Sequence, residues 1–143
     1  MIRAVFDASA VISGCGWGAE SYYCLVAVAR RRARSYATEA IIEQWRETIV
    51  ELDAEGAKFR RDPRPTLEWL ISASHLVVAA PAGKQRSRDP NDDPYLACAL
   101  AARAEFIITR DGDVLDLGKP FGIQIVTPRV FLNRLHSGYL PSA

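Results

Sequence analysis

Ile2-Arg3-Ala4-Val5-Phe6-Asp7 opens the chain with a short, nearly continuous apolar run that ends on an acid. Such a run, partly β-branched, is the pattern of a strand buried on both faces of a parallel sheet. Comparable short runs recur at Ser35–Thr38, Leu76–Ala79, Phe106–Thr109 and Ile123–Val126. Between them lie stretches with helical spacing. Ser21–Ala33 closes on Arg30, Arg31, Arg32 and Arg34, and Thr38–Leu52 carries the stripe Ile41, Trp45, Ile49 and Leu52. A helix over Thr66–Ser74 follows the turn Asp62-Pro63-Arg64-Pro65, Asp93-Pro94 opens another through Ala102, and Pro128–Leu135 is the last. Strands alternating with helices predict an α/β fold: a three-layer sandwich with a central parallel sheet of four to five strands and helices on both faces.

The 143 residues suit one domain, 1–143, and at 49% apolar and 24% charged they suit an ordinary folded core. Eighteen basic and 17 acidic residues leave a formal charge of +1, so bulk charge supplies no general attraction to phosphate. Three cysteines, Cys15, Cys24 and Cys98, form no CxxC pair, which argues against a disulfide framework or a zinc knuckle. The N-terminus meets an acid too early for a signal peptide, and no apolar run approaches the roughly 20 residues of a membrane span. A cytoplasmic location, with no membrane association, is the expectation.

In open parallel sheets the binding crevice lies at the carboxyl ends of the strands. Acids collect on that edge. Asp7 follows the first strand directly, Glu43 and Glu47 lie one to two turns into the helix after the second, Asp89, Asp92 and Asp93 follow the third, and Asp111 and Asp113 follow the fourth. Each alone has an ordinary structural role: Asp93 and Asp113 as helix caps, Glu43 and Glu47 as a solvated face. Asp7 is harder to explain so, because a carboxylate ending a central strand is seldom buried without a partner. Together the acids need protons or a cation, since two carboxylates about 4 Å apart repel by roughly 4 kcal/mol at an effective dielectric near 20. An all-oxygen ligand set suits Mg2+ or Mn2+ rather than zinc, and carboxylate-held Mg2+ on such scaffolds serves phosphate chemistry.

Three stretches in order, Val5-Phe6-Asp7-Ala8-Ser9-Ala10-Val11-Ile12-Ser13-Gly14, Arg88-Asp89-Pro90-Asn91-Asp92-Asp93-Pro94-Tyr95-Leu96-Ala97-Cys98-Ala99-Leu100 and Phe106-Ile107-Ile108-Thr109-Arg110-Asp111-Gly112-Asp113, resemble the PIN-domain family. The tail Ile125–Leu132 is similar to the family's closing strand and helix. The nearest likeness is to the toxin subfamily of toxin–antitoxin systems, related to VapC-type toxins. The resemblance implies a Mg2+- or Mn2+-dependent endoribonuclease, a homodimer checked by a small antitoxin protein. It implies Asp7, Asp92 and Asp111 as the metal-site acids and Asp113 as a further acid in the pocket. Asp92 is preferred to Asp93 on its spacing to Ala104-Glu105-Phe106. Ser9, Asp93 and Thr109 are supporting residues within the matching stretches.

The chain departs from the family pattern at one place. The family's second acid falls six residues after the Ser or Thr ending the second strand, and that count from Thr38 lands on Gln44. Glutamine offers an amide oxygen but no charge. Glu47, at i+3 on nearly the same helix face, is the candidate to replace it. Asp113 or Glu47 is then the base for the attacking water, since neither His75 nor His136 is suitably placed. Lys84, Arg86, Arg88 and Arg110 are the expected contacts to RNA phosphates, whereas Arg30–Arg34 reads as a solvated helix end.

Three other readings carry distinct expectations. A degenerate, non-catalytic PIN domain would bind RNA or a partner protein without cutting it, as Gln44 allows. Gly14-Cys15-Gly16-Trp17-Gly18-Ala19 fits the G-x-G-x-x-G/A pattern of a dinucleotide-binding domain, with Glu39 about 20 residues on, but Asp7–Ser13 separates it from the first strand. A phosphoacceptor receiver would need paired acids after that strand, where only Asp7 stands.

Overall fold

The computed structural model describes residues 1–79 and 93–137. The elements in order are β1 (Ile2–Phe6), α1 (Ala8–Gly16), α2 (Ala19–Ala29), β2 (Ala33–Ala37), α3 (Glu39–Ala54), α4 (Arg64–Ala73), β3 (His75–Leu76), α5 (Asp93–Ala102), β4 (Phe106–Ile108), α6 (Gly112–Leu115), β5 (Gln124–Val126) and α7 (Pro128–His136). Among the described residues the sheet has five strands in the order β3-β2-β1-β4-β5, every neighbouring pair parallel. Helices flank it in the expected three-layer arrangement. The strand order reverses beside β1, so the crevice of such a sheet falls next to the end of that strand.

β1 is buried almost throughout, with Ala4 and Val5 fully covered and Phe6 1% exposed. α5 packs across β1, β2 and β4, while α2 and α7 pack on each other. Phe131 of α7 meets Phe106 of β4 edge-on, with ring centroids 5.3 Å apart. Trp45 of α3 is wholly buried, and its indole N–H donates to the carbonyl of Phe6 at 3.2 Å. That bond ties α3 to the end of β1, the place where the acids begin.

Three expectations about element boundaries are corrected. α1 was not anticipated: Ser9, Ser13, Gly14 and Gly16 are weak helix formers, and the helix exists because Asp7 caps it and its face is buried. The helix predicted over Ser21–Ala33 stops at Ala29. Arg31 takes a left-handed φ of 59°, and the Arg32 amide closes onto the Ala27 carbonyl at 2.9 Å. This is a helix stop normally marked by glycine, here made by arginine. The third strand is His75–Leu76, earlier and shorter than Leu76–Ala79.

The glycines of the G-x-G-x-x-G/A pattern do not link a strand to a helix. Gly14 and Gly16 lie within α1. A Cβ on Gly14 would stand 2.9 Å from Leu25 Cδ1 and 3.0 Å from the Ser21 carbonyl, and one on Gly16 would stand 2.5 Å from Phe59 Cδ1. They permit close packing, and the dinucleotide reading loses its structural basis. Among the described residues no helix is long and apolar enough to cross a membrane.

Candidate functional site

Register brings the site together. Phe6 lies opposite Ile108, and Ile108 opposite Val126. One step further, the Asp7 amide donates to the Ile108 carbonyl at 3.1 Å and the Thr109 amide to the Val126 carbonyl at 2.9 Å. Asp7 and Thr109 therefore end neighbouring strands on the carboxyl edge. The same edge is where helices start. Asp7, Thr38, Asp111 and Thr127 each accept a backbone amide from the first turn of the following helix.

Asp7 is 4% exposed. Its Oδ1 accepts from the Ala10 amide at 3.0 Å and from Ser9 Oγ at 2.7 Å, and its Oδ2 accepts from Thr109 Oγ1. Burial holds its carboxyl above the usual carboxylate range. The hydrogen bonds from Thr109, Ala10 and Ser9 pull it back down in part, and the charge of Asp111 pushes it up again. Asp111 thus lies within electrostatic reach of Asp7. Thr109 Oγ1 accepts the Asp111 amide at 2.9 Å, and Asp111 Oδ1 accepts the Asp113 amide at 2.9 Å. Asp7 is a helix cap as well, but a cap needs one oxygen and tolerates exposure. Near-complete burial with three donors holding both oxygens goes beyond that role.

Gln44 also reaches this edge. Its Oε1 accepts from the Tyr95 hydroxyl at 2.5 Å, and the same hydroxyl accepts from the Ala8 amide at 3.2 Å. α3, α5 and the start of α1 are joined beside Asp7 by that chain. Ser9 Oγ accepts the Arg110 amide at 2.9 Å, and Arg110 Nη1 donates to Ser13 Oγ at 2.5 Å. Asp113 is exposed on the first turn of α6. Glu47 is exposed on α3 and makes no hydrogen bond or ion pair with another described residue. Lys84, Arg86, Arg88, Asp89, Asp92 and the side chain of Asp93 lie outside the described residues.

Two participants were not anticipated, Tyr95 and Ser13. Tyr95 had a signal in its chemistry: a tyrosine on the apolar face of a short helix needs a partner for its hydroxyl when buried. Ser13 had none.

The oxygen-only donor set fits a hard divalent cation. Asp7 Oδ2 receives one hydrogen bond and so keeps acceptor capacity, and its buried charge calls for a counter-charge. Among the described residues no three Asp, Glu, His or Cys side chains are grouped closely enough to hold a metal ion. Asp7 and Asp111 are the described pair for such a role.

Arranged thus, the chain is an open parallel α/β protein with Asp7 and Asp111 on the carboxyl edge beside the switch of its strand order. A PIN-domain family model matches residues 3–113, and the chain belongs to the PIN domain family. PIN domains are usually nucleases acting on phosphodiester bonds and generally use divalent metal ions. The crystal structure of PAE2754 from Pyrobaculum aerophilum is similar, with a TM-score of 0.67 and 17% identity over 95% of this chain and 90% of that one, a likeness of fold. No curated protein matches the chain.

Proposed function

We propose that the protein is a Mg2+- or Mn2+-dependent endoribonuclease, the toxin of a toxin–antitoxin pair. The observation that carries the nuclease reading is Asp7, buried at the carboxyl edge of β1, held by three donors and facing the charge of Asp111. Asp7 and Asp111 would hold the ion, joined by Asp92, the third acid implied by the family resemblance. A bound Mg2+ or Mn2+ supplies a water of lowered pKa and neutralises charge on phosphoryl oxygens.

The chain's own groups do the rest. Ser9 and Thr109 fix the Asp7 carboxylate so that its free lone pair keeps one direction. Asp113, on the same helical turn as Asp111, takes the proton of the attacking water at a carboxylate oxygen. Glu47 is the other carboxylate for that task, from the α3 side. Arg110, anchored by Ser9 and Ser13, orients the phosphate backbone, with Lys84, Arg86 and Arg88 as further contacts.

The test is cleavage of a labelled RNA with and without Mg2+. Wild type should cut only with the metal, and Asp7→Asn and Asp111→Asn should leave the RNA intact. Cleavage that survives EDTA or either substitution contradicts the reading. The toxin assignment rests on the sequence resemblance and is tested by growth arrest on expression, relieved by the product of an adjacent small reading frame. The homodimer is tested by sedimentation.

One observation favours a second reading. The Gln44 amide oxygen already accepts from Tyr95, so the position offers a metal no charge and only a shared oxygen. A non-catalytic PIN domain would bind RNA equally well in EDTA and yield no products at any metal concentration.

A further inference from the structure

Beside the acidic edge lies a cleft of about 400 Å3 lined by Ala19, Glu20, Ser21, Arg110, Thr127, Pro128 and Arg129. Two guanidinium groups share it. Arg110 is fixed in place by Ser13 Oγ through one nitrogen, which leaves its remaining N–H groups for another acceptor. Arg129, exposed on the first turn of α7, makes no side-chain hydrogen bond or ion pair with another described residue. The cleft also receives the start of α2, whose N-cap Gly18 supplies no side chain to its first-turn amides. Ser21, on that first turn, is 3% exposed and lines the same cleft.

We infer that this cleft is a phosphate subsite, gripping a backbone phosphate of the RNA strand next to the one at Asp7 and Asp111. The inference rests on the nuclease reading for its RNA and deepens it by adding Arg129 and Ser21. The chemistry is that of a phosphodiester: two cations for its charge, a hydroxyl and helix-start amides for its oxygens. Arg110 connects subsite and acids, since Ser9 Oγ accepts the Arg110 amide and donates to Asp7. Among the described residues Glu20 is the one acid in the lining, and its charge opposes the ligand. It therefore serves as an internal control of sign.

The probe is a fluorescein-labelled single-stranded RNA 12-mer, titrated in EDTA so that binding is read apart from cleavage and from metal. Arg129→Ala should weaken binding by about tenfold at low salt and reduce the slope of log K against log salt by about one. Glu20→Gln should tighten binding, and inorganic phosphate at high concentration should compete with the wild type more than with Arg129→Ala. Arg129 is exposed, so its substitution leaves the fold intact, and a thermal melt checks this. Wild-type affinity and salt slope in Arg129→Ala, or no gain in Glu20→Gln, would overturn the subsite. The nuclease reading fails separately: an RNA that binds as described but is never cut with Mg2+ keeps the subsite and removes the cleavage.

Discussion

Thr109 stands between the two acids, donating its hydroxyl proton to Asp7 Oδ2 while accepting the backbone amide of Asp111 at 2.9 Å. One hydroxyl, placed by the pairing of β4 with β1, thus orients the buried carboxylate and the turn carrying its neighbour. Thr109→Val keeps the shape and removes both bonds. It should destabilise the fold by about 2–3 kcal/mol, because an enclosed charge and an amide lose their partners. It should also push the Asp7 carboxyl further up. Thr109→Ser should restore most of the loss in urea unfolding.

The elevated Asp7 carboxyl gives a signed pH dependence. Burial is its largest cause, and the native state keeps the proton to a higher pH than the unfolded chain, whose value is near 3.8. Between those two values the native state binds more protons, so stability falls as pH rises through the window and stays lower above it. Asp7→Asn cannot ionise. In EDTA its Tm at pH 7 should equal or exceed that of wild type, with the fall across the window removed. A variant melting well below wild type at neutral pH would show that the ionised carboxylate stabilises the fold.

Gln44 supplies a third prediction. Gln44→Glu keeps an acceptor for Tyr95 and adds a negative charge beside Asp7. The added charge should raise Mg2+ affinity by roughly tenfold, read as a lower Mg2+ midpoint in a thermal-shift titration. Without metal the same variant should melt lower than wild type, through repulsion from Asp7 and Asp111.

Trp45 joins the core to the site, and Trp45→Phe leaves both a void and the Phe6 carbonyl without its indole donor. The cost should be about 2–3 kcal/mol in urea unfolding. Because the indole holds Phe6, the residue before Asp7, Mg2+ affinity should weaken with it.

β1, β4 and β5 were legible because each is a short, mostly apolar run followed directly by a polar residue, Asp7, Thr109 or Thr127. Asp7 and Thr109 follow from that rule, and Asp111 lies two residues beyond Thr109 as the cap of α6. α1 was hidden because its serines and glycines carry no helical propensity, and only the Asp7 cap and tight packing on α2 and Phe59 create it. The end of α2 was hidden because Arg31 takes a conformation that usually announces itself as glycine. The link from Gln44 to Ala8 through Tyr95 joins residues far apart in sequence and depends on how α3 and α5 pack, which no local pattern encodes. Arg110 was expected at RNA on its position after β4. Its anchoring to Ser13 needed α1 first.

The central claim is that Asp7 and Asp111 share one divalent cation, and calorimetric titration of Mg2+ into wild type, Asp7→Asn and Asp111→Asn tests it most directly. Wild type should bind saturably, and each substitution should weaken binding by at least tenfold while the melting transition stays cooperative. Wild-type affinity in either variant, or no saturable binding in the wild type, would contradict it.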